Sequence, residues 1–287
     1  MDWLIEPFTL GFQQRALLGG AIAGVMCAAV GTWLVLRGMS FFGDAFVHGI
    51  VPGIALAVLL DFSPLIGAVI AAAVMVAGIE VVSRQTALKE DTGIGLLFVG
   101  MLGLGVVLIS RTDSYSGSLT TILFGDALGV TEAEILFQLL LALVVIAAAI
   151  ALYRPLLALA FNEGKAEVLG MNPRRTHALM LALIGAAVIG SYQAVGTLLV
   201  FGLLVGPPAT AALISRTIPI MMAIASGIAL LSVWAGLVLS YYLDTAGSAT
   251  MALVPIIVFF VTLAVVAPAR RRRRAAAPGR AAAESCR

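Results

Sequence analysis

The sequence predicts an all-α polytopic membrane protein, and three observations point to this fold class. Of the 287 residues, 61% are apolar and only 11% are charged, whereas a soluble domain is about half apolar and about one quarter charged. The mean hydropathy is +1.10. The apolar runs are continuous, which favours helices over a barrel, because the strands of a membrane barrel alternate in hydropathy.

Nine apolar runs are long enough to be membrane helices, and each is bounded by charged or turn residues. They span approximately residues 15–36, 44–60, 64–83, 93–110, 134–153, 177–191, 194–214, 217–240 and 249–267. Nine spans of about 20 residues use roughly 180 residues, which leaves no room for a soluble catalytic domain. The sixth and seventh runs meet at residues 191–193, where the division is weakest, so eight spans is the alternative.

We therefore expect one transmembrane domain, residues 1–268, followed by a basic, disordered cytoplasmic tail, residues 269–287. From Arg270 onward the tail carries a charge of +6, so the rest of the chain carries −4 within the net charge of +2. An arginine run directly after an apolar span is typical of an anchor at the cytoplasmic, anionic membrane surface, rather than of nucleic-acid binding.

The distribution of Lys and Arg over the connectors predicts the orientation of the chain. With nine spans, 15 basic residues lie on one side, and only Arg15 and Arg111 lie on the other. The side with 15 is expected to be cytoplasmic, which places the N-terminus outside and the C-terminus inside.

One inner connector, about residues 154–176, is longer than a turn requires. Asn162 is suited to cap a short helix there and Gly170 to end it. Such a helix at the cytoplasmic surface is a natural docking point for a partner, but it is also typical of a helix that only rests on the membrane.

Asp44 and His48 are the strongest candidates for a functional site, because a charge within the hydrocarbon is costly and points to function. They are four residues apart, so on a helix they share a face with about 6 Å of rise between them. Pro52 has no N–H to donate to the His48 carbonyl, which leaves another oxygen nearby. Carboxylate and imidazole together suit zinc or manganese. The alternative is a mutually satisfied pair that only fixes helix packing, since two ligands do not make a site unless a dimer doubles them.

Other polar residues are better explained without a transport function. Glu80 precedes Arg84 by four residues, which predicts an ion pair near the membrane interface, and His177 follows an arginine pair and is expected at the surface. The sequence contains neither a phosphate-binding loop motif nor an HExxH motif. We therefore do not expect the chain to be an enzyme by itself.

A collinear set of short motifs runs from residue 37 to the last span. Its members are Arg37, Met39, Ser40, Phe41, Gly43, Asp44, Phe46 and His48, then residues 123–126, 195–200 and 208–211, and Asp244. The first group fits the pattern R-x-M-S-[FY]-x-G-D-x-[LF]-x-H, and the chain resembles the permease subunit of the ABC-type importers for zinc, manganese and iron from about residue 12 to 267. It departs from this family in its Arg-rich tail and in a Pro-Pro pair where a single proline is common.

The resemblance implies a permease fold of the vitamin-B12-importer type (type II), in a bacterial inner membrane, usually as a homodimer with the pathway on the two-fold axis. It implies a separate ATPase subunit that docks on the inner connector, and an extracytoplasmic metal-binding protein that delivers the ion. It also places Asp44 and His48 in the metal pathway. The connector residues expected to couple to the ATPase are Glu163, Gly164, Lys165, Glu167 and Gly170.

The leading interpretation is therefore a permease subunit that passes a divalent transition-metal ion into the cytoplasm. We expect no permanently bound cofactor and no nucleic-acid partner. One histidine and one aspartate per subunit favour zinc, with manganese next and iron also considered. Two alternatives remain: a secondary transporter in which Asp44 relays protons, and a non-transporting membrane scaffold or sensor.

Overall fold

A computed structural model describes residues 6–85, 90–110, 130–161, 167 and 170–275, and for residues 83–85, 90–91, 193–194, 197–198 and 269–275 it describes the backbone alone. Every regular element in these ranges is a helix. After a short 3-10 helix at Glu6–Thr9, the helices are α1 (Gly11–Leu36), α2 (Ser40–Gly49), α3 (Val51–Leu59), α4 (Pro64–Gln85), α5 (Glu90–Ile109), α6 (Glu132–Ala151), α7 (Tyr153–Phe161), α8 (Pro173–Val195), α9 (Thr197–Ile214), α10 (Ile218–Leu243) and α11 (Gly247–Ala275).

Within the described residues, eight helical stretches are long and apolar enough to cross a membrane. The helices α2 and α3 together form one of them, Ser40–Leu59, and α9 contributes only the shorter apolar segment Leu199–Ile214. This confirms the prediction of an all-helical membrane protein. The helix α11 continues to Ala275, past the predicted end of the last span and into the segment expected to be a tail.

The helix α1 lies at the centre of the bundle and packs against α6, α8, α9 and α10. Small residues allow these close contacts: a side chain at Gly31 would collide with the backbone carbonyl of Leu204 in α9, and Gly24 faces Ala229 in α10. Lipid solvates apolar side chains as well as the protein interior does, so close backbone packing of this kind supplies much of the association energy between membrane helices.

The turn between α8 and α9 lies at Gly196, which has a φ of +78°, and not at residues 191–193 as predicted. It also lies inside the bundle. Ser191 Oγ is 3.9 Å from Cys27 Sγ of α1, and Gly196 is about 7.5 Å further along α8 at 1.5 Å per residue. This places the turn near the middle of α1, and the packing of Leu204 on Gly31 fits the same register. The helix α9 therefore begins within the bundle, which explains why its apolar segment is short.

Candidate metal site

Asp44 and His48 lie together on α2, as their spacing predicts. Asp44 Oδ1 is 3.6 Å from His48 Nε2, and the side chains of His48 and Asp44 are 26% and 32% exposed. The pair therefore lies at a half-open surface of the bundle rather than in its core. Phe41, one turn earlier on the same face, is 43% exposed.

The opposite face of α2 is buried and holds the helix in place. Phe42, Ala45 and Phe46 are each 0% exposed. The Phe46 ring packs so closely on Gly185 of α8 that a Cβ there would lie 2.7 Å from Cζ of the ring. Because this face is packed on backbone, the direction in which the Asp44 carboxylate points is fixed by the core.

The helix breaks two residues after His48, at Ile50, and α3 begins at Val51 with Pro52 in its first turn. The break occurs because Pro52 has no N–H for the helical hydrogen bond to His48. Neighbouring helices hold it closely: Gly105 of α5 faces the Pro52 backbone, and a side chain at Gly53 of α3 would collide with the backbone of Gly67 in α4. The broken segment is thus rigidly packed.

An aromatic side chain from α5 lies beside the imidazole. The ring centroids of Phe98 and His48 are 6.1 Å apart, and Phe98 also meets Phe41 edge-on at 5.7 Å. His48 Nδ1 is inaccessible and has no hydrogen-bond partner among the described residues. Its Nε2, which faces Asp44, is therefore the imidazole nitrogen that can bind the same metal ion as the carboxylate.

One copy of the chain offers an incomplete coordination sphere at this point. The described residues contain no group of three or more His, Cys, Asp or Glu side chains that could hold a metal ion. A carboxylate oxygen and an imidazole nitrogen can contact a divalent ion in passing, but most metal sites need four or more ligands. The arrangement therefore suits transient contact with an ion better than permanent binding.

A cavity of about 630 Å³ lies on the other side of α2 and takes no part in this site. Phe46 forms one wall, and the other walls come from α4, α6 and α8, all apolar except for Glu80. Neither Asp44 nor His48 lines it. Glu80 offers a single carboxylate, and the apolar residues around it add no further ligand for a metal ion.

The sequence also led to predictions for Glu80 and His177, and only the prediction for His177 can be checked in the described residues. The side chain of Arg84 lies outside the described residues, so the predicted ion pair with Glu80 stays a prediction. His177 is 7% exposed, so the prediction that it lies at the surface is wrong. Its charged sequence neighbours suggested a surface position, but Thr176 beside it is also buried, at 6% exposed.

The inner connector is described only in part. Glu163, Gly164 and Lys165 lie outside the described residues. Glu167 and Gly170 are exposed, the Gly170 N–H donates to the Glu167 carbonyl at 3.0 Å, and Gly170 has a φ of +72°. This turn agrees with the predicted end of a short helix at Gly170, and Asn172 then caps α8 by accepting from the Arg175 N–H.

Sequence reasoning missed two contacts that bear on these regions. Phe98 was not singled out, because its approach to His48 depends on how α5 packs on α2. Arg37 was noted only as a basic residue and as part of a motif, yet its guanidinium donates to the Leu159 carbonyl at 3.1 Å. Neither contact has a signal in local spacing.

The bundle of apolar helices, with a carboxylate–imidazole pair at a broken span, has the features of a multi-pass membrane permease for a cation. The chain belongs to the ABC 3 transport family, and the sequence model of that family matches residues 9–266. It is 32% identical over 263 residues to the probable iron transport system membrane protein of Haemophilus influenzae, covering 92% of this chain and 97% of that protein. It is 34% identical over 249 residues to the manganese transport system membrane protein MntC of Halalkalibacterium halodurans, covering 87% of this chain and 85% of that protein.

Two solved structures have a similar fold. PsaBC from Streptococcus pneumoniae, in complex with a Fab, matches with a TM-score of 0.78 and 29% identity, over 91% of this chain and 94% of that one. An inward-facing metal-chelate type ABC transporter matches with a TM-score of 0.70 at 20% identity, which shows the fold alone. The family predicted from the motifs is thereby confirmed: the chain is the permease subunit of an ABC metal importer, a multi-pass protein of a bacterial inner membrane. Membership implies that a separate subunit hydrolyses ATP.

Proposed function

We propose that this chain forms the pathway of an ABC importer for manganese ions and that the ion contacts Asp44 and His48 as it passes. The observation that carries this proposal is the half-open carboxylate–imidazole pair, with Oδ1 and Nε2 3.6 Å apart. The negative charge of Asp44 offsets the cost of removing water from a divalent ion at membrane depth. Two ligands bind weakly enough for the ion to leave again, as conduction requires.

The choice of manganese revises the preference for zinc expected from the sequence. The relatives with printed substrates are named for manganese or iron, as in the Halalkalibacterium and Haemophilus proteins. A carboxylate oxygen is a good manganese ligand, and imidazole does not discriminate strongly among these metals. We therefore place manganese first and iron second.

A second copy of the chain would complete the site. Phe41, Asp44 and His48 form a partly exposed stripe along α2, so two copies that meet at this stripe would bring four ligands together. Such a dimer, with its pathway between the subunits, remains part of the proposal, as do the N-outside orientation, the extracytoplasmic metal-binding protein and docking of the ATPase on the 154–176 connector.

Uptake into liposomes tests the proposal. The permease is reconstituted into liposomes with its ATPase and its metal-binding protein. Entry of manganese, iron and zinc is measured in separate experiments with ATP inside the liposomes and with ATP outside them. We expect ATP-dependent uptake of manganese, weaker uptake of iron and the least uptake of zinc.

The same experiment separates the alternatives. Uptake that follows a proton gradient without the ATPase would indicate a secondary transporter and contradict the proposal. No uptake of any of the three ions by the assembled complex would support a non-transporting role. Faster uptake of zinc than of manganese would restore the preference drawn from the sequence.

A further inference from the structure

We propose that Arg37 is a positioning residue that couples the inner connector to the helix of Asp44 and His48, an inference that rests on the proposed function. Arg37 lies in the turn between α1 and α2, seven positions before Asp44. Its Nη1 donates to the backbone carbonyl of Leu159, 3.1 Å away, in the last turn of α7. This hydrogen bond joins the turn at the start of α2, the helix of Asp44 and His48, to α7, the first helix of the inner connector.

The acceptor is well suited to an arginine. The described part of α7 runs to Phe161, and the Leu159 carbonyl, like any backbone carbonyl, has two lone pairs, so it can accept from the guanidinium in addition to a backbone N–H.

A second contact fixes the other end of α7 to α1. The Trp33 and Tyr153 rings meet edge-on with centroids 5.5 Å apart, one turn of α1 before Arg37. On the inner side of α7, Leu156 and Leu159 are 1% and 3% exposed. The helix α7 is therefore held to the end of α1 at both of its own ends, and the coupling segment begins directly after it.

The turn from Arg37 into α2 is rigid. The Gly38 N–H donates to the Val35 carbonyl and the Met39 N–H donates to the Leu34 carbonyl, each at 3.1 Å, which is the hydrogen-bond pattern of a Schellman motif. Gly38 has a φ of +70°, a conformation that favours glycine because a Cβ is strained there. The Phe42 N–H then donates to the Met39 carbonyl at 2.9 Å and begins α2.

Rigid joints on both sides of Arg37 give displacement of the connector a direct path to Asp44. When the ATPase closes and moves the connector, α7 pulls on Arg37, and the stiff turn passes this movement to α2. A contiguous set of packed contacts is the physical basis for such coupling, and the coupling itself must be measured.

The experiment compares manganese uptake per ATP hydrolysed in the reconstituted complex with Arg37→Ala, Arg37→Lys and Arg15→Ala. For Arg37→Ala we expect assembly and basal ATP hydrolysis within about twofold of the unmodified complex, and at least a tenfold fall in uptake per ATP. Arg37→Lys should recover much of the ratio, because an ammonium can also donate to a single carbonyl. Arg15, exposed near the opposite end of α1, is the matched control and should leave the ratio unchanged.

A merely structural role gives a different result. If Arg37→Ala lowers assembly, hydrolysis and uptake in proportion, the ratio stays at its unmodified value and the proposal is overturned. If that variant does not assemble, Gly38→Ala decides. Apart from the flanking residues, no atom of the described part of the chain lies within 4 Å of the added Cβ, so only the turn is strained. A tenfold lower ratio in Gly38→Ala, with the ratio of Gly11→Ala unchanged, supports the proposal, and an unchanged ratio in Gly38→Ala overturns it.

One result overturns this proposal and the proposed function together. It is a complex that hydrolyses ATP but moves no manganese, whether unmodified or carrying any of these substitutions.

Discussion

The two faces of α2 differ in what surrounds them. The back face, with Phe42 and Phe46, is fully buried, and its neighbours on α8 and α9 are close enough that glycine is needed at Gly185. On the front face, Asp44 is about one third exposed and His48 about one quarter, and the Phe98 ring of α5 lies beside His48.

This difference separates stability from function within one ten-residue helix. The apolar back face fixes the position of α2 through packing, which is sensitive to volume. The polar front face contributes one carboxylate–imidazole contact between partly exposed groups, which adds little to stability. Changes on the back should therefore act on folding, and changes on the front should act on transport.

The largest expected effect is on the back face. Phe46→Ala removes a ring that is 0% exposed and leaves a void against Gly185, which costs about 3–5 kcal/mol by analogy with soluble cores. Phe41→Ala on the front face is the matched control, because Phe41 is 43% exposed. Thermal unfolding in detergent should show a large fall in the midpoint for Phe46→Ala and a small fall for Phe41→Ala. Equal shifts would contradict the distinction between the faces.

A smaller effect is expected at the contact between the front face and α5. Phe98→Leu removes the ring beside His48 and frees the imidazole to rotate, and aromatic contacts of this kind contribute about 0.5–1.5 kcal/mol. The rate of manganese uptake should therefore fall about two- to tenfold, with the unfolding midpoint nearly unchanged. Phe260→Leu, at a residue 60% exposed on α11, serves as the control. Loss of stability without loss of rate would place Phe98 with the back face.

Much of the fold follows from the sequence, because lipid restricts a spanning chain to few structures. Runs of apolar residues predicted the helices, and the end of α1 at Leu36 and the start of α4 at Pro64 agree with the predicted bounds. The spacing of Asp44 and His48 predicted their shared face. Pro52 was expected only to free the His48 carbonyl, and the structure shows that the helix also breaks there.

What sequence reasoning missed depends on contacts between distant parts of the chain. The turn at Gly196 was displaced in the prediction because apolar residues continue through α8 and α9, and only their packing on α1 shows where the chain turns. Burial of His177 and the reach of Arg37 to Leu159 depend on where α7 and α8 lie. A pattern of neighbours along the chain carries no information on these contacts.

The central claim is that Asp44 and His48 act on the ion and do not merely satisfy each other. Asp44→Asn removes the charge and His48→Ala removes the nitrogen donor, and both variants should assemble with the ATPase and lose manganese uptake. If the pair were only structural, each single variant would leave a partner unsatisfied, at about 1–3 kcal/mol, and would assemble poorly.

The most direct measurement is manganese uptake by the double variant Asp44→Leu with His48→Leu, reconstituted with its ATPase. Replacing a pair by apolar residues of similar volume often preserves or improves stability. We therefore expect the double variant to assemble normally and to hydrolyse ATP but to take up no manganese. Uptake restored to the unmodified rate would show that the pair serves packing alone and would contradict its assignment to the metal pathway.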